Sequence, residues 1–248
     1  MRAVKHAISR ALGSRGYQIV KQQDVHSLKE HLLYVFADQQ VDYVIDVGAY
    51  RGDYGSFLRA AGYNGPIVSF EPVEKSYREL VRNSAGDPAW SIDRIALGSR
   101  DETREIGVMS STDLSSFRSF TRFGAEVFAG QSRIEHCEPV RIRRLDSILP
   151  DVVPASAGRI FLKLDTQGWD VEVLEGATGC LDRIVGLQLE ASARPIYEGM
   201  PTYLEALGYA TSLGFGLTDA VPVVRDRRHR VIEFDCVLGR DAAAPGGG

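Results

Sequence analysis

The segment VIDVGAYRG at residues 44–52, followed one helix later by IVSFEP at 67–72, constrains the fold more than any other part of the chain. An apolar run, Val44 and Ile45, stops at Asp46, and Gly48 and Gly52 then open a helix. A second apolar run, Ile67, Val68 and Phe70, stops at Glu71. Glycines let the backbone approach a ligand closely, and an acid at the tip of the second strand can hold both hydroxyls of a ribose. Either half alone is a common strand-to-helix turn. Together and in this order they read as a nucleoside-binding βαβ unit.

The details of the loop bear on which nucleoside. A dinucleotide fold wants G-x-G-x-x-G, because the pyrophosphate needs close backbone and a helix N-terminus. The loop Gly48-Ala49-Tyr50-Arg51-Gly52 lacks the second of those glycines and has Asp46 just before it. A carboxylate there repels a pyrophosphate and suits a cation, such as the α-ammonium of S-adenosylmethionine (SAM). A nicotinamide dinucleotide stays as the alternative.

The 248 residues, 44% hydrophobic and 25% charged, suffice for one α/β domain with insertions. A net charge of −4 argues against general nucleic-acid binding, which wants a basic surface. No apolar run approaches the ~18 residues that span a membrane, and the basic N-terminus lacks the apolar core of a secretory signal. Cys137, Cys180 and Cys236 are scattered and form no C-x-x-C pair, which fits reduced thiols in the cytoplasm.

Residues 1–40 read as a helical preface. Val4, Ala7, Ile8, Ala11 and Leu12 recur at helical spacing, and Leu28, Leu32, Leu33 and Phe36 repeat the pattern. The first of these helices is basic and amphipathic, so it could touch an anionic membrane surface; docking on its own domain or on a second subunit, as in a homodimer, is the plainer expectation. A single domain over 41–240 follows. Strands are expected at 43–47, 66–70, 91–97, 159–165 and 184–190, with helices between them. A closing antiparallel pair is expected at 209–217 and 231–238, and a disordered tail at 241–248. Residues 100–149 break the rhythm with an extended stretch, a Ser-rich turn, a short helix over 117–128 and alternation at 140–143. An ordered aromatic lid built on Phe117, Phe120, Phe123 and Phe128 fits that excursion.

In open α/β sheets ligands bind beyond the carboxyl ends of the strands, where strand order reverses. Three strands end there in an acid: Asp46, Asp165 and Glu190. In a sheet of order 3-2-1-4-5 these strands are neighbours, so the acids crowd one cleft and need a positive partner. Lys163, two residues before Asp165, points to the same face of its strand. It is read either as a buried ion pair or as a group that orients a hydroxyl substrate.

These residues also carry a family resemblance. IDVGAYRG at 45–52, FEP at 70–72, IALG at 95–98, KLDTQG at 163–168 and LQLE at 187–190 occur in order, and the chain resembles the FkbM-type SAM-dependent methyltransferases over about 41–210. The resemblance implies a Rossmann-like, doubly wound class I methyltransferase sheet, mostly parallel with an antiparallel closing pair. It further implies that Asp46, Gly48 and Ala49, with Tyr50 and Gly52 in the same loop, line the methionine end of SAM. Glu71 takes the ribose between Phe70 and Pro72, Ala96 and Leu97 lie near the adenine, and Asp165 faces the transferred methyl. Two positions depart from the family pattern. Tyr50 stands where asparagine is usual, and Gln167 where glutamate is usual.

An aliphatic hydroxyl must lose its proton as it attacks a methyl group, to a positioned base or beside a bound Mg²⁺. Asp165, assisted by Glu190 and Lys163, is the expected base, or with Glu190 the metal ligand. His136, in the excursion, is a further candidate that could swing over the cleft. Arg225, Arg227, Arg228 and Arg230 form either an anion-receiving patch or a solvated turn, and the turn is favoured. Trp169 and Tyr197 are candidates for stacking on a sugar ring. The expected activity is O-methyl transfer to a hydroxyl of a sugar, glycolipid or related secondary metabolite. A catalytically silent SAM-binding subunit and a NAD(P)-dependent oxidoreductase are the alternatives.

Overall fold

The apolar runs become central strands and the polar-faced runs become the helices that cover them. The computed structural model describes residues 27–240. Its elements are α1 (Leu28–Asp38), β1 (Tyr43–Val47), α2 (Asp53–Ala61), β2 (Ile67–Phe70), α3 (Glu74–Ser84), β3 (Trp90–Asp93), β4 (Ala96–Leu97), β5 (Glu102–Met109), α4 (Arg122–Val127) and β6 (Ile134–Arg143). Then follow α5 (Leu145–Val152), β7 (Ile160–Leu164), α6 (Asp170–Glu175), β8 (Ile184–Ser192), α7 (Tyr203–Ser212), β9 (Gly216–Arg225) and β10 (Val231–Gly239). The first helix expected from the preface and the tail at 241–248 lie outside the described residues.

Seven strands form one sheet in the order β3-β2-β1-β7-β8-β10-β9. The first five are parallel, and β10 runs antiparallel to both β8 and β9. This is the Rossmann-like, doubly wound sheet that the motifs imply. Strand order reverses between β1 and β7, which sets Asp46 directly opposite Lys163. β1, β2 and β7 are buried at every position, as strands covered on both faces must be.

The excursion is a second layer of structure with its own small core. β4, β6 and β5 form a three-stranded sheet in that order, and Ile106, Val108, Val140 and Ile142 pack with Val73 and Ala96. Strand 91–97 is therefore split: Trp90–Asp93 pairs with β2, and Ala96–Leu97 crosses to pair with β6. Arg94 lies at the crossing, held by Glu74 and Glu138.

The other corrections have local causes. The strand expected at 209–217 is the end of α7, started by the reciprocal cap between Thr202 and Glu205 and turned off at Gly214. The strand proper begins at Gly216. The helix expected over 117–128 shortens to Arg122–Val127, capped by Thr121, and the one after Trp169 stops at Glu175 before a 3₁₀ turn at Thr178–Arg183.

Candidate active site

The tip of β1 and the loop after it form the first wall. Gly48 takes φ +75°, and a Cβ there would sit 1.9 Å from the carbonyl oxygen of Asp165. Only glycine lets the β1 and β7 loops approach so closely. The Gly48 and Ala49 amides donate to the Phe70 carbonyl at 3.0 and 3.1 Å, tying this loop to the end of β2. Tyr50 follows in a left-handed conformation, φ +51°, which aims its amide at Glu71.

Glu71 ends β2 almost wholly buried. Its Oε2 accepts from the Tyr50 amide and its Oε1 from the Val73 amide, both at 2.8 Å. Burial pushes its carboxyl up to about 8, even against those two donors. Each oxygen keeps a lone pair for a further donor.

Asp46 corrects the sequence reading. Its carboxylate is fully buried, accepts from Ser69 Oγ at 2.9 Å and lies 3.3 Å from Lys163 Nζ. It does not line the cavity, so the acid at the end of β1 answers the chain's own lysine rather than a ligand's ammonium. Lys163 also reaches Asp165 Oδ2 at 3.4 Å and the Gly48 carbonyl at 3.4 Å, above the Tyr54 ring. Burial opposes its charge, but Asp165 and Asp46 overcome this and hold the ammonium above its ordinary value. Lys163 thus forms the buried ion pair with Asp46 and also reaches the cavity carboxylate of Asp165.

Asp165 stands differently, with 38% of its side chain exposed toward the cavity. Gln167 clamps it: one amide N–H donates to Asp165 Oδ1 at 3.0 Å and the other to Glu190 Oε2 at 3.2 Å. Gln167 Oε1 lies 2.8 Å from the Tyr197 hydroxyl, which is also 2.9 Å from the Leu114 carbonyl. Gln167 is itself left-handed, φ +53°. The excursion is pinned to this loop, since Ser116 Oγ donates to the Gln167 carbonyl and Arg118 Nε to that of Gly168.

A cavity of about 450 Å³ joins these walls, within the roughly 300–1,000 Å³ of ligand pockets. Glu71 lies at the end of β2, and Glu233 and Asp235 on β10; with strands ~4.8 Å apart, about 19 Å of sheet edge separates the two sides. Gly48, Ala49, Tyr50, Phe70, Glu71, Pro72, Ala96 and Leu97 all line it, as do Lys163, Asp165 and Glu190. Gly52 does not. It is the left-handed residue before α2, packed against Leu80 and Trp90. His136 does not either: it is exposed on β6 and paired with Glu138 at 3.0 Å. Its strand is fixed by ladder hydrogen bonds to β5, so it has no swing toward the cleft.

Trp169 lines the cavity, with Phe117 5.1 Å from it, whereas Tyr197 is fully buried and offers no face to a sugar. Phe117 and Phe128 line the cavity, while Phe120 and Phe123 pack around Ile196 and Tyr197. The arginines of 225–230 form the solvated turn, with Asp226 accepting from the Arg228 and Arg230 amides. The sequence reading missed Glu233 and Asp235. Their alternation in β10 was visible, but not the antiparallel register that sets Asp235 opposite Glu190. Among the described residues, no group of three or more His, Cys, Asp or Glu side chains is arranged to hold a metal ion.

The residues present fit a nucleoside cofactor. The Gly48–Tyr50 loop lines the cavity, and Glu71 presents a carboxylate with free lone pairs at the end of β2, where the sequence reading expects the ribose. Comparison with known proteins agrees. A family described as the methyltransferase FkbM domain matches residues 46–217. No curated protein matches the chain. A solved methyltransferase FkbM from Methylobacillus flagellatus is similar at 12% identity and a TM-score of 0.49, covering 80% of this chain. This chain spans only 43% of that protein's length. Also similar are precorrin-6y C5,15-methyltransferase from Geobacter metallireducens (12% identity, 90% of each chain, TM-score 0.45) and magnesium protoporphyrin IX methyltransferase from Synechocystis with bound SAM (8%, 86% of this chain and 77% of that one, 0.45).

Proposed function

Because the chain belongs to the FkbM family of SAM-dependent methyltransferases, we propose that it transfers a methyl group to a hydroxyl of a sugar, glycolipid or related secondary metabolite. The observation that carries this reading is Asp165, a carboxylate held from two sides by Lys163 and Gln167 yet open to the cavity. Such a group can orient a hydroxyl and take its proton.

Glu71 would hold the ribose hydroxyls of SAM, the Gly48–Tyr50 loop its methionine end, and Ala96 with Leu97 its adenine. When bound, SAM supplies an activated methyl on a sulfonium, so the acceptor oxygen forms the new C–O bond as the C–S bond breaks. The chain's part is alignment and proton removal. Asp165 accepts the hydroxyl proton, and Lys163 beside it stabilises the carboxylate until that moment. Ser116 and Arg118 hold the excursion against the β7 loop, and the Leu114 carbonyl ties it to Tyr197.

Asp165→Asn tests the assignment and separates it from a silent SAM-binding subunit. An enzyme loses roughly 10²–10⁴-fold in kcat while its affinity for S-adenosylhomocysteine stays within a few-fold. Unchanged turnover in the variant refutes Asp165 as the base.

A further inference from the structure

Beyond Asp165 the cavity becomes acidic, and the charge of Lys163 reaches Asp235 without forming an ion pair with it. Asp235 lies opposite Glu190 in the β8–β10 ladder, and Glu233 lies opposite Ser192, two residues along β10 and on the same face. All three carboxylates line the cavity. Glu233 is 95% buried: its relative exposure is 5%. Its Oε1 accepts from Ser192 Oγ at 3.1 Å, and its Oε2 has no hydrogen-bond partner among the described residues. Within the described residues none of the three has a Lys, Arg or His nitrogen within ion-pair distance. The nearest lysine, Lys163, is already shared between Asp46 and Asp165.

One buried and two half-buried carboxylates gathered on one wall call for a compensating charge. They are strung along two strands rather than converging on a point, and they form no metal-holding group. An organic ammonium, with several N–H donors, suits that spacing.

We propose that the β8–β10 side of the cavity is a subsite for a protonated amine on the methyl acceptor, received by Glu190, Glu233 and Asp235. This rests on the methyltransferase reading and narrows its substrate to amine-bearing alcohols. The ammonium has no lone pair to accept a methyl. It is the handle, and the neighbouring hydroxyl meets Asp165. Burial and mutual repulsion push Glu190 and Asp235 upward and Glu233 to about 7, and a bound cation reverses that pressure.

The test uses the full chain saturated with S-adenosylhomocysteine and titrated at pH 8 with trans-4-aminocyclohexanol, and in parallel with the neutral trans-cyclohexane-1,4-diol. The expected result is saturation by the amine at a concentration roughly tenfold or more below that for the diol. Glu233→Gln and Asp235→Asn each bring the ratio toward one while leaving S-adenosylhomocysteine affinity unchanged. Equal affinities, preference for the diol, or no saturation by the amine overturns the subsite and leaves the methyltransferase reading standing. A chain that binds no S-adenosylhomocysteine fails that reading, and the amine subsite falls with it.

Discussion

Glu71→Gln isolates the charge that the β2 end of the cavity stores. In the folded protein without ligand, burial raises the carboxyl from 4.5 to about 8. Below 4.5 it is protonated in both the folded and the unfolded chain and favours neither. As pH rises toward 8 the unfolded chain releases this proton and the folded chain keeps it, so stability falls by about 1.4 kcal/mol per pH unit. Over the whole window the loss is roughly 5 kcal/mol. Glutamine cannot ionise, so the variant lacks this slope. It has a constant penalty instead, because one amide oxygen cannot accept from both the Tyr50 and Val73 amides, and its NH₂ faces the second donor. A buried donor left unpaired costs about 1–3 kcal/mol.

Wild type is therefore the more stable protein at pH 5, the variant is the more stable at pH 8, and the curves cross at about pH 5.5–6.5. Urea unfolding of both proteins at pH 5, 6, 7 and 8 measures the difference. The other buried acids contribute equally to both and cancel. A stability difference that is flat with pH within ~0.5 kcal/mol refutes the argument, since Glu71 would then be ionised in the folded state throughout. The same logic reaches binding. Ribose hydroxyls donate to the ionised carboxylate, so binding of S-adenosylhomocysteine at pH 7 releases a proton, seen as buffer-dependent heat in calorimetry.

Gly48→Ala sets a methyl group 1.9 Å from the Asp165 carbonyl oxygen at a φ that strains any side chain. The expected cost is about 2–3 kcal/mol in thermal unfolding and a tenfold or greater loss of S-adenosylhomocysteine affinity; intact binding would show that the loop does not carry the cofactor. Tyr50→Asn relieves a left-handed tyrosine and forfeits its exposed contact with Arg51, a net gain of roughly 0.5–1 kcal/mol visible as a higher Tm. A lower Tm would mean that the ring's packing outweighs the strain. Gln167→Glu puts a third carboxylate between Asp165 and Glu190 and removes both donors. It should destabilise by about 2–4 kcal/mol at pH 8 and far less at pH 5, and a pH-independent effect would contradict the electrostatic account.

What the sequence discloses follows how local the physics is. β1, β2, β7 and β8 were legible because each is a largely apolar run with an acid at or near its end, and the doubly wound class supplied their order. Glu71 could be placed at the strand tip for the same reason. Misreadings arise where a partner far along the chain decides. Ala96 and Leu97 continue the run from Ile92 but pair with β6, nearly fifty residues on. Asp46 resembles a ligand-facing acid until the β1–β7 register sets Lys163 beside it. His136 looks free in a polar stretch, yet ladder bonds and Glu138 fix it at the surface.

The two departures from the family pattern become coherent once the acids are counted by place. Asp165, Glu190, Glu233 and Asp235 share the β7–β10 side of the cavity, and Lys163 pairs with Asp46 and Asp165. A glutamate at 167 would add a fifth carboxylate with nothing left to neutralise it. An amide there does the opposite, because its two N–H groups donate to Asp165 and Glu190 and hold them apart from mutual repulsion. Gln167 keeps this geometry at the strain of a left-handed backbone, which brings its oxygen to Tyr197. Tyr50 bears the same strain on the other loop, and there the turned amide secures Glu71. Both non-glycine residues are strained where a hydrogen bond fixes a cavity carboxylate. In this chain the acids of β10 thus share the cavity with a position 167 that contributes donors rather than charge.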